Sequence, residues 1–378
     1  MIETRKNNLY YLLAIVALAT TLLLYWFTVK PLVVLAYEGT EPLWFKNILE
    51  FFYPRFYIEK HRFSAPFFLE KSNQIILRFS MIALLTIIAI WANTRTSFVR
   101  NFIKNQFTHK QVSTKNIKTI VVLFHLILLF FSAELTEYLL SAGNLGVFYK
   151  PIPLFNMLHL NWPPSWLIFL VGILQAIACL LSIPLKKWSF YSSVLAAILF
   201  IYLQGLSYGF EKIDHGLATL TYAAMLMPFL VKGCYKAKEK RQHLQNAFWL
   251  KLIMLSIAMP YFLSGLEKLF ISHFSWATAA TFRGYLQLHN VPAGQALAQS
   301  DFFSHTLPIL ALVFQLGFTL AVFIPKTRWV LLPIGIIFHM STYVFFGVGA
   351  FYSPWWLMYL FFIPWDRLSF KKSVGAAS

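Results

Sequence analysis

The sequence predicts an all-α polytopic integral membrane protein, a helical bundle of about ten transmembrane helices. The composition and the spacing of apolar runs predict this fold class. Of the 378 residues, 58% are hydrophobic and 12% are charged, whereas a soluble domain carries about 25% charged residues. One spanning helix needs about 20 predominantly apolar residues, so the chain has material for about ten. This composition excludes a soluble globular enzyme, a disordered chain and a disulfide scaffold.

Ten apolar runs mark the predicted spans. They cover residues 9–29, 74–93, 118–142, 165–183, 188–208, 213–231, 248–270, 305–325, 329–350 and 353–365. The last run is short and contains Pro354 and Pro364, which makes it the weakest. The first run is predicted to be retained, because Tyr25, Trp26 and Phe27 stand where a signal peptide would have a small-residue cleavage site. We expect one membrane domain over residues 1–378, without a separate soluble domain.

The distribution of lysine and arginine predicts the orientation of the spans. If the N-terminus is cytoplasmic and the spans alternate, about 20 basic residues lie on the cytoplasmic side and about 8 on the other. This bias follows the positive-inside rule and predicts that both termini are cytoplasmic and that the loop 37–73 faces outward. It also accounts for much of the net charge of +18 without a nucleic-acid partner. The lipid bilayer is the expected partner.

Ionisable side chains within spans are costly and mark candidate functional sites. The candidates at or within the predicted spans are Glu134, Glu137, Asp214, His215, Lys268 and His339. With alternating spans, the two glutamates, the Asp214–His215 pair and Lys268 all fall near the outer leaflet. We therefore expect Glu134, His215 and Lys268 to converge on one cavity, with His339 deeper.

Structural roles for these residues stay open at this stage. Glu134 and Glu137, three residues apart on one helix face, could pair with Lys268 or Arg283. Asp214 suits a helix cap, and Lys268 could extend to the membrane surface. His125, a lone histidine in the third run, is expected to pack with its hydrogen bonds satisfied.

The chain lacks the zinc motif HExxH, paired-cysteine metal motifs, a glycine-rich phosphate loop and GxSxG. No metal is predicted. The remaining candidate is acid–base chemistry, because an amine in apolar surroundings can be neutral and act as a base.

Three segments resemble the vitamin K-dependent gamma-carboxylases, and in particular their bacterial relatives, the HTTM (horizontally transferred transmembrane) proteins. They are YFLSGLEKL at 261–269, followed by Trp276; DHGL at 214–217; and FHMSTY at 338–343, followed by GVGAF at 347–351 and PWDR at 364–367. The resemblance covers about residues 75–370.

The resemblance implies an enzyme that couples epoxidation of reduced vitamin K by O₂ to carboxylation of glutamyl residues in a peptide with CO₂. It places the catalytic lysine at Lys268 and an assisting histidine at His215, with Asp214, Glu134, Glu137 and His339 in support. The lipid-soluble quinone would bind near Tyr261, Gly265 and Trp276. The expected location is a bacterial inner membrane, with the site toward the periplasm.

The sequence departs from the family in two ways. Asp214 stands where the family has asparagine. About a dozen residues follow Trp365, so the resemblance does not extend to the large domain with which animal carboxylases bind protein substrates. Glutamate-rich clotting-type substrates are therefore not expected. The alternative function is a non-catalytic membrane factor for maturation, export or immunity of a secreted peptide.

Overall fold

The computed structural model describes residues 2–108, 112–210, 215–235, 240–270 and 274–368, and within these ranges it contains helices and no β-strand. The α-helices, in chain order, are α1 (Ile2–Leu24), α2 (Lys30–Glu38), α3 (Leu43–Phe52), α4 (Phe56–Glu59), α5 (Ala65–Arg95), α6 (Ser97–Thr108), α7 (Thr114–Ser141), α8 (Pro153–Met157), α9 (Ser165–Ser182), α10 (Lys187–Tyr208), α11 (Ala218–Tyr235), α12 (Lys240–Phe270), α13 (Ala279–His289), α14 (Pro292–Ala298), α15 (Asp301–Gly317), α16 (Leu320–Phe323), α17 (Arg328–Phe346) and α18 (Pro354–Leu357). A π-helical turn, Tyr25–Val29, joins α1 to α2.

Eight helical segments are long and apolar enough to cross a membrane, which confirms the predicted all-α polytopic membrane fold. They are Tyr10–Glu38, Ala65–Arg95, Thr114–Ser141, Ser165–Ser182, Lys187–Tyr208, Asn246–Phe270, Asp301–Phe323 and Pro325–Phe346. A shorter apolar helix, Ala218–Cys234, corresponds to the sixth predicted run. Nine of the ten predicted runs therefore match an apolar helix in the same order.

The chain divides into two compact units, Met1–Asn105 with Lys150–Asn161, and Gln106–Tyr149 with Trp162–Ser378. The prediction of one membrane domain did not distinguish them. In the first unit, α1 and α2 pack antiparallel against α5. The Tyr11 hydroxyl lies 2.6 Å from Thr94 Oγ1, and the Tyr25 hydroxyl donates to Asn73 Oδ1 over 2.6 Å. These hydrogen bonds fix the register of two otherwise apolar helices.

The second unit is a bundle in which α7 packs against α9, α10 and α11, and α12 packs between α11 and α15. Its interior is lined by large apolar side chains without solvent exposure, among them Phe124, Leu128, Phe200 and Met227. In a membrane, such cores gain from close packing, because lipid already solvates the apolar exterior.

The tenth predicted run is not a continuous helix. It forms α18 and a 3₁₀ segment, Met358–Phe362. It nevertheless returns along the bundle. Phe346 ends α17, whereas the carbonyl of Phe362 accepts a hydrogen bond (3.2 Å) from Arg328, the first residue of α17. The backbone N–H of Trp365 also donates to Asn116, at the start of α7, over 2.8 Å.

We call residues 354–362, which comprise α18 and the 3₁₀ segment, the return segment. It is buried throughout Met358–Phe362. Burial explains why a broken helix is tolerated there, since irregular backbone at membrane depth must be enclosed by protein that satisfies its polar groups. Gly335 of α17 makes room for the segment, because a Cβ there would lie 2.2 Å from the Tyr359 hydroxyl oxygen. The return segment therefore lies in the interior of the second unit.

Candidate functional site

One face of α12 carries three of the candidate residues predicted from the sequence, Tyr261, Gly265 and Lys268. Because an α-helix repeats every 3.6 residues, Tyr261, Ser264, Gly265 and Lys268 share a face. This face is turned toward α15. A Cβ at Gly265 would lie 2.8 Å from Leu316 Cδ2, so the absence of a side chain at Gly265 lets the two helices approach closely.

Lys268, half-buried in the last turn of α12, is held by neutral oxygens. Its Nζ donates to Ser264 Oγ over 2.9 Å and to Oε1 of the buried Gln315 over 2.8 Å. The same Nζ lies 4.3 Å from the centroid of the Trp276 ring, within cation–π range. A hydroxyl, an amide and a ring face therefore contact the amine, and the negative charge of the adjacent Glu267 also acts on it.

The position of Trp276 depends on an unusual backbone conformation. Phe274, two residues earlier, has a φ of 61° in the left-handed region, which costs a non-glycine residue on the order of 1–3 kcal/mol. The short 3₁₀ turn Ser275–Ala277 follows.

Two turns before Lys268, Tyr261 belongs to a hydrogen-bonded chain of three side chains. Its hydroxyl lies 2.6 Å from His339 Nε2 and 3.0 Å from the Tyr359 hydroxyl. Tyr261 and Tyr359 are both buried. Since each hydroxyl can donate one hydrogen and accept others, the chain can be ordered from Tyr359 toward His339 or in reverse, according to the histidine tautomer.

Trp355 connects this chain to His215. Its ring stacks on His339 with centroids 5.8 Å apart and an interplanar angle of 20°, and it meets Tyr261 edge-on at 5.3 Å. The exposed His215 ring contacts the same indole edge-on at 5.9 Å. Asp214, the other half of the predicted pair, lies outside the described residues.

The two glutamates of α7 have other surroundings than expected. Glu134 accepts a hydrogen bond from Tyr352, and this bond, more than the carboxylate's charge and burial, raises the pKa of the Tyr352 phenol. The Glu137 side chain is exposed. Glu134 therefore interacts with the segment that follows α17, and its supporting role for Lys268 stays a prediction.

The alternative considered from the sequence was that Glu134 or Glu137 pairs with Lys268 or Arg283. Arg283 has other partners. Arg283 forms an ion pair with Asp301 and donates to Ser304 Oγ over 3.1 Å. His125 is buried with both ring nitrogens paired, to the Val121 carbonyl (2.8 Å) and to Ser193 Oγ (3.1 Å). This is the packing arrangement expected for it from the sequence.

The structure brings together Tyr261 and His339, which the sequence nominated for separate roles, and joins His215 to them through Trp355. Lys268 lies farther along the same helix face, with Trp276 and Gln315. The single cavity proposed for Glu134, His215 and Lys268 stays a prediction.

Three residues of the candidate site, Trp355, Tyr359 and Gln315, were not predicted from the sequence, because they carry no charge. The available signal was the conjunction of aromatic residues and proline in the short tenth run.

Comparison with known proteins adds no relative. No family model matches the chain, and neither a curated protein nor a solved structure matches it significantly. The likeness to the gamma-carboxylases therefore rests on the short segments around Lys268, His215 and His339.

Proposed function

We propose that this protein is a membrane-embedded, gamma-carboxylase-like enzyme of the HTTM type, in which Lys268 is the catalytic base. One observation carries the proposal, namely the arrangement of the Lys268 amine between two neutral oxygens under the Trp276 ring. A carboxylate partner would hold the amine as an ammonium. The oxygens of Ser264 and Gln315 carry no charge and favour the ammonium less strongly than a carboxylate partner would. The Trp276 ring face and the charge of the adjacent Glu267 act in favour of the ammonium.

The neighbouring side chains also suit an amine that changes protonation state. A lysine ammonium only donates hydrogen bonds, whereas a serine hydroxyl both donates and accepts. The Ser264 hydroxyl can therefore turn its hydrogen toward a neutral Lys268 amine, and the Gln315 amide can rotate to present its NH₂ group. The site keeps its contacts in both states.

The aromatic residues fit a lipid-soluble quinone as substrate. A quinone ring needs flat walls and hydrogen-bond partners at its oxygens, and Tyr261, His339 and Trp355 provide both types of group. The reduced quinone, together with O₂, would supply the strong base that removes a glutamyl γ-proton before CO₂ adds to that carbon. Lys268 would accept a proton from a quinone hydroxyl, and His215 would donate a hydrogen bond to developing negative charge.

The apolar surroundings of the bundle serve this chemistry by excluding water, which would quench a strong base. The basic asymmetry of the sequence supports a site toward the outer face of the membrane, and the resemblance to bacterial HTTM proteins supports a bacterial plasma membrane. A peptide or small protein would then meet the site from that side.

The direct test is incorporation of labelled bicarbonate into glutamyl peptides by purified protein supplied with a reduced naphthoquinone. We expect label in the peptide with the native chain and background label with Lys268→Arg, since a guanidinium stays protonated and cannot accept the proton. Lys251→Arg is the matched control, because Lys251 is a second buried lysine of α12. Full incorporation by Lys268→Arg would contradict the role of this residue.

The alternative, a non-catalytic factor for a secreted peptide, makes a different prediction for the same variants. It requires peptide binding that survives Lys268→Arg and no incorporation by the native chain with any reduced quinone. Peptide binding measured beside label incorporation therefore separates the two functions.

A further inference from the structure

The ten-residue helix α3, in the first unit, has three chemically distinct faces. One face is packed: Phe45 is buried, and Leu49 packs against the same cluster. That cluster draws its other buried members from α2, α4 and α5, namely Leu32, Val33, Ala36, Phe56 and Phe68. Helix α3 is therefore fixed in orientation by the protein, and its remaining faces point in defined directions.

A second face is apolar and exposed. Trp44, Ile48 and Phe52 follow one another at intervals of four residues, so they form one ridge along the helix. Their exposed fractions are 54%, 46% and 67%. On the polar side, Lys46 and Glu50 form an ion pair at 4.0 Å. At 100° per residue, this pair lies roughly opposite the apolar ridge.

Helix α8, about 100 residues later in the chain, extends the apolar surface. It packs against α3 within the same unit. Phe155 anchors α8 by its burial, whereas Leu154, Met157 and Leu158 are exposed to 53%, 64% and 59%. We call the surface formed by Trp44, Ile48, Phe52, Leu154, Met157 and Leu158 the apolar platform.

The platform continues the lipid-facing surface of its own unit. The span Tyr10–Glu38 ends four residues before α3 begins, and the span Ala65–Arg95 follows α4 closely. The apolar stretches of these two spans are almost entirely unburied within the protein, as expected of helices that lipid covers. A helix of ten residues is about 15 Å long and cannot cross a hydrocarbon core of about 30 Å.

We propose that α3 and α8 lie in the membrane interface, with the apolar platform against the lipid of the leaflet at which the first span ends. An apolar face opposite a charged face is the pattern of a helix lying flat at the boundary between headgroups and acyl chains. Trp44 fits this depth, since tryptophan is enriched at membrane interfaces. The Lys46–Glu50 side then faces water.

The test uses the full chain in lipid nanodiscs, with the buried Cys179 and Cys234 replaced by alanine. An environment-sensitive fluorophore is attached at Ile48→Cys, and in a matched control at Glu50→Cys, two residues away on the polar side. Lipids with a nitroxide near the top of the acyl chain serve as the quencher. We expect quenching at position 48 to exceed that at position 50 by about threefold, as for a helix buried on one side.

Equal, weak quenching at positions 48 and 50 would overturn the proposal, because the platform would then face water or protein. A label at Met157→Cys gives a second reading from α8 and keeps the test valid if the Ile48 variant does not fold. Efficient disulfide formation between Ile48→Cys chains in native membranes, without lipid quenching, would assign the platform to contact with a second copy and would likewise overturn it.

Discussion

Helix α12 carries two partly or fully buried lysines, Lys251 in its first half and Lys268 in its last turn, and the two are held in different ways. Lys251 donates to the backbone carbonyl of Val322 and, over 3.2 Å, to Gln106 Oε1. Lys268 donates to the side chains of Ser264 and Gln315. A carbonyl can only accept a hydrogen bond, whereas hydroxyl and amide side chains can also donate.

This difference is the one expected between a structural lysine at position 251 and the catalytic base proposed at position 268. Val322 lies in the short helix α16, close to the end of the span, and the neighbouring carbonyl of Ala321 accepts from Arg328 over 2.8 Å. Two cations thus cap carbonyls at a helix end, where positive charge is favourable. Each lysine also contacts a glutamine amide, so the difference lies between the Val322 carbonyl and the Ser264 hydroxyl. A neutral amine can still donate to either oxygen, but only the hydroxyl can also donate to the lone pair of that amine.

The largest expected effect comes from exchanging the two lysines for arginine. Lys268→Arg should lower turnover by roughly 10²–10⁴-fold, the usual worth of a general base. Lys251→Arg should keep most of the activity, because a guanidinium still donates to the Val322 carbonyl. Turnover is measured as quinone oxidation and as label incorporation, on protein whose folding is verified by thermal unfolding. Similar activity losses in both variants would contradict the proposed difference between Lys251 and Lys268.

The fold was largely predictable from the sequence because membrane insertion imposes a strong length and polarity rule. Each of nine runs is an apolar stretch near the length that a bilayer requires, and each became an apolar helix. The return segment did not follow this rule. It is enclosed by protein, so it needs neither the length nor the continuity of a lipid-exposed helix.

The candidate site was predictable only where a residue is costly. Lys268 and His339 stand out because ionisable groups inside spans are rare. The sequence does not distinguish Gln315, Tyr359 and Trp355 from the many other uncharged or aromatic residues of the chain. They reach the site only through the packing of α15 and of the return segment. Glu134 is a different case. Its charge within a span identified it as a candidate, but the spacing of residues in the sequence could not predict that it would interact with Tyr352.

The second prediction concerns stability around Lys251. Lys251→Met keeps the bulk of the side chain but leaves the Val322 carbonyl without its donor, which should cost about 1–3 kcal/mol of unfolding free energy. Chemical unfolding in detergent measures the loss. Lys326→Met, at an exposed lysine near the same end, should change stability by less than about 0.5 kcal/mol. If Lys251→Met were as stable as Lys326→Met, the capping role would be excluded.

The third prediction tests how tightly the return segment is held beside the site. In Gly335→Ala the new methyl group would occupy the place of the Tyr359 hydroxyl, so we expect a loss of about 1–3 kcal/mol from overpacking and a loss of activity. Gly317→Ala is the matched control in α15, because a Cβ there meets nothing within 4 Å. Its expected effect is neutral or stabilising by up to about 1 kcal/mol, from better helix propensity. Equal stability of the two variants would mean that Tyr359 adjusts freely.

The smallest expected effect comes from removing one hydroxyl from the chain of hydrogen bonds. Tyr359→Phe deletes the bond to Tyr261 but leaves Tyr261 bound to His339, and should cost about 0.5–1.5 kcal/mol of stability. Tyr25→Phe is the control in the first unit, where another buried tyrosine hydroxyl contacts Asn73 at 2.6 Å. The two variants should lose similar stability, but only Tyr359→Phe should lower turnover, by a few-fold. Equal turnover in both variants would mean that Tyr359 acts only in packing. The proposed catalytic site would then consist of Lys268 and the residues that contact it directly.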